Sequence, residues 1–292
     1  MVPLDKYLEL TKPRVTSLNV AVGITCFILA ELPRIDWPTL IIFGTVAYLT
    51  VGGCGALNCY FDRDLDKLMD RTCRRAIPSG AITPVNALLY GLILLTIGMF
   101  GACFTFSKLA FGMIVMGAAA YLFVYTHWLK RRSRWNVVIG GVSGSFAALS
   151  GWAATGNAFS LMPLLVALLD FLWTPGHLWG LAIARVKEYR RASLPMLPVT
   201  VGLRTASRYV FLFNVLTFAS SLLFPILGMT GPVYSVAAIF AGALLLWRSW
   251  KLLILPSEGG GFRLFLLSVV YLSFVMGALV IDRLTLPVAF PR

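Results

Sequence analysis

Asn58, Asp62, Asp66 and Asp70 recur every four residues within NCYFDRDLDKLMDRTCRRAIPSG, residues 58–80. On a helix of 3.6 residues per turn each step of four drifts by only about 40°, so the four line one stripe and Asp64 falls on the other side. Carboxylates stacked at this spacing repel one another. A divalent cation would offset the repulsion, and hard oxygen ligands suit Mg2+, which takes one or two carboxylates, several waters and the phosphate oxygens of a substrate. The same stretch supplies Arg63, Lys67, Arg71, Arg74 and Arg75, donors suited to the remaining charge of a diphosphate. The competing reading is a solvated loop of mixed charge, a common surface feature.

The elements that must position this stripe are membrane spans. The chain of 292 residues is 59% hydrophobic and only 13% charged, about half the charge of a soluble domain, with a mean hydropathy of +0.83. The formal charge of +13 could suggest nucleic acid. In a membrane protein it reads instead as basic residues gathered on cytoplasmic loops, and no nucleic-acid partner is expected. Cys26, Cys54, Cys59, Cys73 and Cys103 show no metal-ligand spacing, are odd in number and lie largely in apolar runs, so they read as small core residues. The opening MVPLDKYLELTKPR has neither a cleavable signal nor an Arg- and Ser-rich presequence, which points to the cytoplasmic membrane of a prokaryote.

Nine spans are expected, at about 15–30, 38–57, 84–104, 109–128, 136–154, 161–184, 209–227, 233–247 and 264–281, each near the roughly 20 residues that cross a hydrocarbon core. Residues 1–14 read as an interfacial helix carrying Lys6, Lys12 and Arg14. With the N-terminus inside, the cytoplasmic segments hold 21 of the 25 Lys and Arg residues, leaving Arg34, Lys108, Arg283 and Arg292 outside. That asymmetry favours an N-in, C-out arrangement. The expectation is one all-α domain, residues 1–292, with nine transmembrane helices around a central cavity. The charged loops after spans two and six suggest two pseudo-repeated bundles, about 1–135 and 136–292, with the site between them, as repeats often place it.

Span six holds Asp170, Thr174, Pro175 and His177. Asp170 and His177 share a helix face, and Glu188 would join them if the helix continued. Ionisable residues inside a membrane are functional candidates. The alternative is that Asp170 pairs within the bundle and His177 is a satisfied core histidine. Gly140, Gly141, Gly144 and Gly151 of span five read as close helix packing.

NCYFDRDLDKLMDRTCRR, residues 58–75, resembles the first motif of the UbiA-type intramembrane prenyltransferases, N-x-x-x-D-x-x-x-D, with Asn58, Asp62 and Asp66 in its named positions. LTKPRV (10–15), YTHWLKRRSRWNVVIGGVSGS (125–145) with GW at 151–152, and FLWTPGHLWGLAIARVKEYRRASLPMLPVTVG (171–202) resemble further signatures of the haem O synthase branch of that superfamily. The matches run in order from residue 10 to residue 202, and the last ninety residues add little beyond spans. The chain departs from the branch at Ala147-Ala148, where a double proline is usual, at Gly176 in TPGH, where TPPH is usual, and at Glu188-Tyr189, where aspartate–tyrosine is common. The carboxylate survives, while the lost prolines bear on the shape of the acceptor pocket.

The resemblance implies transfer of a farnesyl group from farnesyl diphosphate to a vinyl group of haem b, with water completing the new side chain. It implies Mg2+ held by Asp62 and Asp66 with Asn58 in support, and Arg71, Arg75, Lys130, Arg131 and Lys187 as phosphate clamps. Glu188 would be a further metal ligand. Tyr189 would face the diphosphate, and His177, or else His127, would touch the haem iron or a propionate. Proteins of haem A or terminal-oxidase assembly are the implied partners besides the bilayer. Rival readings are a prenyltransferase for a quinone precursor such as 4-hydroxybenzoate, whose branches carry a second D-x-x-x-D absent here, and a transporter. A transporter would place its site near the midplane rather than in an acidic stripe at a span's end.

Overall fold

The computed structural model describes residues 4–285, and among these every regular element is a helix. The order is α1 (Leu4–Leu10), α2 (Pro13–Glu31), α3 (Trp37–Phe61), a single turn α4 (Arg63–Asp66), α5 (Pro84–Thr105), α6 (Lys108–Leu129), α7 (Asn136–Ala153), α8 (Leu161–Ala184), the short α9 (Val186–Arg191), α10 (Leu197–Ile226), α11 (Pro232–Ile254) and α12 (Glu258–Thr285). Eight of them are long and apolar enough to cross a membrane, and the chain is an integral membrane protein. The fifth expected span is α7, 18 residues rich in Gly and Ser, which is not among those eight. Arg292, counted above with the outer charges, lies outside the described residues, as do residues 1–3 of the expected interfacial helix.

Local chemistry sets the helix starts. Asp36, Thr83 and Ser107 each accept the backbone N–H three residues on, capping α3, α5 and α6, and a proline follows at the first or second position of α3 and α5, where no donor is lost. One expectation of the sequence is corrected. Residues 197–208 are not part of a loop, because α10 begins at Leu197 and turns through Gly202, whose φ of 80° breaks the helix direction. Hydropathy sees only the apolar part of such a helix, and Arg and Lys are good helix formers beyond it. The expected sixth span, about 161–184, coincides with α8, which runs through Pro175 to Ala184. It ends before Glu188, at Arg185 with φ −124°, so Glu188 sits on the separate α9.

The packing places α8 against α7, α10 and α12, and α3 against α5 and α2. The corner between α1 and α2 lies on α3, where a Cβ at Gly55 would come within 3.1 Å of the Thr11 carbonyl oxygen. Small residues let backbones approach this closely within a membrane bundle. The five cysteines are all free.

Candidate active site

Asn58 lies in the last turn of α3 and Asp62 caps its C-terminus, with the Asp62 N–H donating to the Asn58 carbonyl at 2.9 Å. One further turn, α4, carries Asp66, whose N–H donates to the Asp62 carbonyl at 2.8 Å. All three side chains are buried, at 1–2% exposure. The stripe stops there. Beyond Asp66 the chain leaves the helix, and Asp70 is exposed and paired with Arg191 at 2.7 Å. Asp64 is exposed on the other side, as its spacing implies.

Each polar group of the stripe meets a donor from elsewhere. The Lys130 ammonium, at the end of α6, donates to Asp62 Oδ2. Arg75 donates to Asp66 Oδ2 at 2.9 Å. Lys12, at the α1–α2 corner, donates to Asn58 Oδ1, while Asn58 Nδ2 donates to Thr126 Oγ1 at 2.9 Å. Repulsion within the stripe is therefore balanced by protein cations, and repulsion alone does not demand a metal. Asp62 Oδ1 is nevertheless buried with no hydrogen-bond partner.

Two local features aim these donors. The segment Ala120–Leu129 of α6 is π-helical, and the Lys130 N–H donates to the Tyr125 carbonyl five residues back. Such wide turns are frequent at functional sites. They bring Thr126 to Asn58 and Lys130 to Asp62, a step of four along each helix. Lys12 sits in the left-handed region, φ 51°, immediately before α2. Burial holds its ammonium below the ordinary lysine range, and Arg75 and Lys130 push the same way. Burial also pulls Lys130 and Arg75 down. Asp62 with Tyr125 and Tyr121 for the first, and Asp66 with Cys59 and Asp62 for the second, together outweigh it, so both are held above their usual values. Formally, three cationic side chains face two carboxylates in this cluster.

The second charged segment meets the first. Glu188 is buried, accepting from the Arg71 backbone N–H at 3.3 Å and from Arg185 at 3.3 Å. Other expected clamps are not brought to the cluster. Arg131 is bidentate on Asp64, at 2.9 and 3.0 Å, and caps the Phe61 carbonyl. Lys187 is 80% exposed at its side chain and pairs with Glu258 at 3.1 Å. The Arg71 side chain is exposed, with only its backbone engaged at Glu188. Tyr189 packs on the core cluster that includes Leu65 and Met69, on either side of Asp66. His127 meets the Phe61 ring at 6.1 Å. His177 is stacked between Trp173 and Phe265, with ring centroids at 4.2 and 4.5 Å, and its Nδ1 is 2.7 Å from Ser268 Oγ. Asp170 is buried deep in α8, facing α7, where a Cβ at Gly144 would lie 2.3 Å from its Oδ2.

Sequence reasoning missed Lys12, Thr126 and Tyr125. Lys12 lay in view in LTKPRV but read as a topogenic charge. Tyr125 and Tyr121, stacked at 5.8 Å, lie beside Lys130, and their spacing of four was the available signal. Among the described residues no three His, Cys, Asp or Glu side chains converge as a ready metal cage.

The UbiA prenyltransferase family is matched over residues 19–277. The chain belongs to that family. Among proteins similar to this UbiA chain is a protoheme IX farnesyltransferase of Acidiphilium cryptum, 36% identical over 290 residues, covering 95% of this chain and 90% of that one. Another, from Neorickettsia sennetsu, is 35% identical, covering 94% and 91%. The UbiA fold also appears in solved structures. A digeranylgeranylglyceryl phosphate synthase superposes with a TM-score of 0.78 at 19% identity, over 97% of this chain and 99% of that one. A UbiA homolog from Archaeoglobus fulgidus bound to DMAPP and Mg2+ gives 0.69 at 14%, over 94% and 99%.

Proposed function

We propose that this chain transfers the farnesyl group of farnesyl diphosphate to a vinyl group of haem b, giving haem O. The observation that carries the reading is the buried Asn58–Asp62–Asp66 row, held by Lys12, Lys130 and Arg75 from three separate elements. The near-full-length relatives named protoheme IX farnesyltransferase supply the donor and acceptor.

The diphosphate head sits at this cluster. Lys12, Lys130 and Arg75 exchange part of their bonding to Asn58, Asp62 and Asp66 for phosphate oxygens, and this stabilises negative charge developing on the leaving group. The residues fit a divalent cation, Mg2+ being our choice, because the unpartnered Asp62 Oδ1 is a vacant hard-oxygen ligand. Asp62 and Asp66 would hold it, and when bound it neutralises the departing diphosphate. Ionisation leaves an allylic carbocation. The Tyr125 and Tyr121 rings beside Lys130 offer it π faces and keep water away. Glu188 ties the two charged segments together at Arg71 and so shapes the floor of the site between the two bundles, about 1–135 and 136–292. We place His177 with the packing of α8 on α12, since its ring is sandwiched and its Nδ1 engaged. The 21-to-4 distribution of Lys and Arg supports nine spans, an N-in orientation, a site facing the cytoplasm and residence in the cytoplasmic membrane. Proteins that consume haem O in oxidase assembly are the natural partners.

The test is a product assay. Purified protein receives haem b, farnesyl diphosphate and Mg2+, with Asp62→Ala in parallel, and haems are read by mass spectrometry. A haem gaining one farnesyl group and one hydroxyl group, the water's other proton being released, and absent in the variant, is the expected result. Prenylated 4-hydroxybenzoate with unmodified haem would overturn the acceptor, and no prenylated product from folded protein would overturn the reading.

A further inference from the structure

We propose that the corner between α11 and α12 is a binding site for a phosphate-headed amphiphile, and that its occupant is an anionic phospholipid of the surrounding bilayer. The inference does not rest on the prenyl-transfer reading.

A cavity of about 470 Å3 opens at this corner, lined by Arg248 and Lys251 of α11, Arg263 of α12, and Leu252, Ile254 and Leu255. Three cations thus face one pocket lined by no carboxylate. Glu258, between the lining residues Ser257 and Gly260, does not itself line the pocket and pairs with Lys187 at 3.1 Å. No ion pair to Arg248, Lys251 or Arg263 occurs among the described residues. A second cavity of about 510 Å3 between α4 and α5 makes the contrast. It is lined by Arg63 and Lys67 but also by Asp64, and its Arg63 already covers the Tyr60 ring and bonds the Tyr60 carbonyl.

The pocket lies at membrane-surface depth. Lys251 Nζ is 3.8 Å and the Arg248 guanidinium carbon 4.7 Å from the centre of the Trp247 ring, and Trp247 and Trp250 are both half exposed. Tryptophans in this position mark the headgroup level of a bilayer. Ring stacking orients the two cations without neutralising them. Ile254 and Leu255 are exposed, Leu255 at 77%, an apolar wall continuous with the cations and suited to an acyl chain. Basic pockets between membrane helices are the form that phosphate-headgroup recognition takes. The lining matches an amphiphile better than a free anion, because half of it is apolar.

Full-length protein would be placed in nanodiscs of phosphatidylcholine containing a minor share of phosphatidylglycerol. Retained lipids would be counted by native mass spectrometry, beside R248Q/K251Q/R263Q and the single exposed change K251E. The wild type should retain phosphatidylglycerol over phosphatidylcholine by about tenfold, and the triple variant should lose that preference while melting as the wild type does in neutral detergent. If the triple variant fails to fold, K251E should still lower retention several-fold. Inorganic phosphate and pyrophosphate at millimolar concentration should not displace the lipid. Equal retention by wild type and variants would overturn the site. Displacement by inorganic phosphate would make it a free-anion site, and displacement by equimolar farnesyl diphosphate would make the occupant a prenyl diphosphate. Either overturns the phospholipid.

Discussion

Asp62 and Asp282 are equally buried, each 2% exposed, yet they are held in opposite ways. Asp282, near the end of α12, gives both carboxylate oxygens to backbone N–H groups at the start of α11, Gly231 at 2.6 Å and Tyr234 at 3.0 Å. It caps a helix and its acceptors are spent. Asp62 gives one oxygen to a lysine from another helix and keeps the other unpartnered. The Asp282 bonds are to donors that cannot move without unwinding α11. The Asp62 bond is to a flexible side chain that can rearrange toward a ligand. Burial alone does not separate the two; under the proposed function the side-chain partner and the spare lone pair of Asp62 do.

The comparison can be broken by substitution, beginning with the largest effect. Asp62→Asn should lower prenyl transfer by about 10³-fold, ~4 kcal/mol of transition-state stabilisation, in a steady-state product assay. Adding Lys130→Met to it should recover melting temperature lost to the uncompensated lysine without recovering activity, since a buried pair is costly mainly when broken. Asp282→Ala should cost ~3 kcal/mol of stability by leaving two buried N–H groups without an acceptor, read as a lower melting temperature, with turnover per folded molecule unchanged. A large activity loss there would erase the distinction between the two aspartates. Lys130→Met alone should reduce activity by about 10²-fold, the scale of removing one charge-stabilising donor. Glu188→Gln keeps its shape and its bond from Arg71, and should lower activity by about tenfold, ~1.4 kcal/mol. Lys187→Ala should change activity by less than about twofold, because an exposed pair contributes little.

Much of the bundle was legible in the sequence. The ends of α8 and the starts of α5 and α7 follow from hydropathy and from Pro84, whose ring favours a helix start. Where cationic helix formers extend a span, hydropathy stopped short, as at Leu197. The spacing of Asn58, Asp62 and Asp66 located the acidic row, but it carried one step too far, to Asp70. Regular spacing persists only while the helix does, and α3 ends at Phe61.

Composition and local pattern thus determined an all-helical membrane chain and the acidic row, since each follows from properties of neighbouring residues. Which cations reach that row was decided only by tertiary structure. Lys12, Arg75 and Lys130 look in sequence like Lys187 and Arg131, which pair elsewhere. A left-handed residue before α2, a π-helical segment in α6 and a glycine contact at Gly55 chose among them. Partner choice depends on distances across the fold that spacing along the chain does not encode.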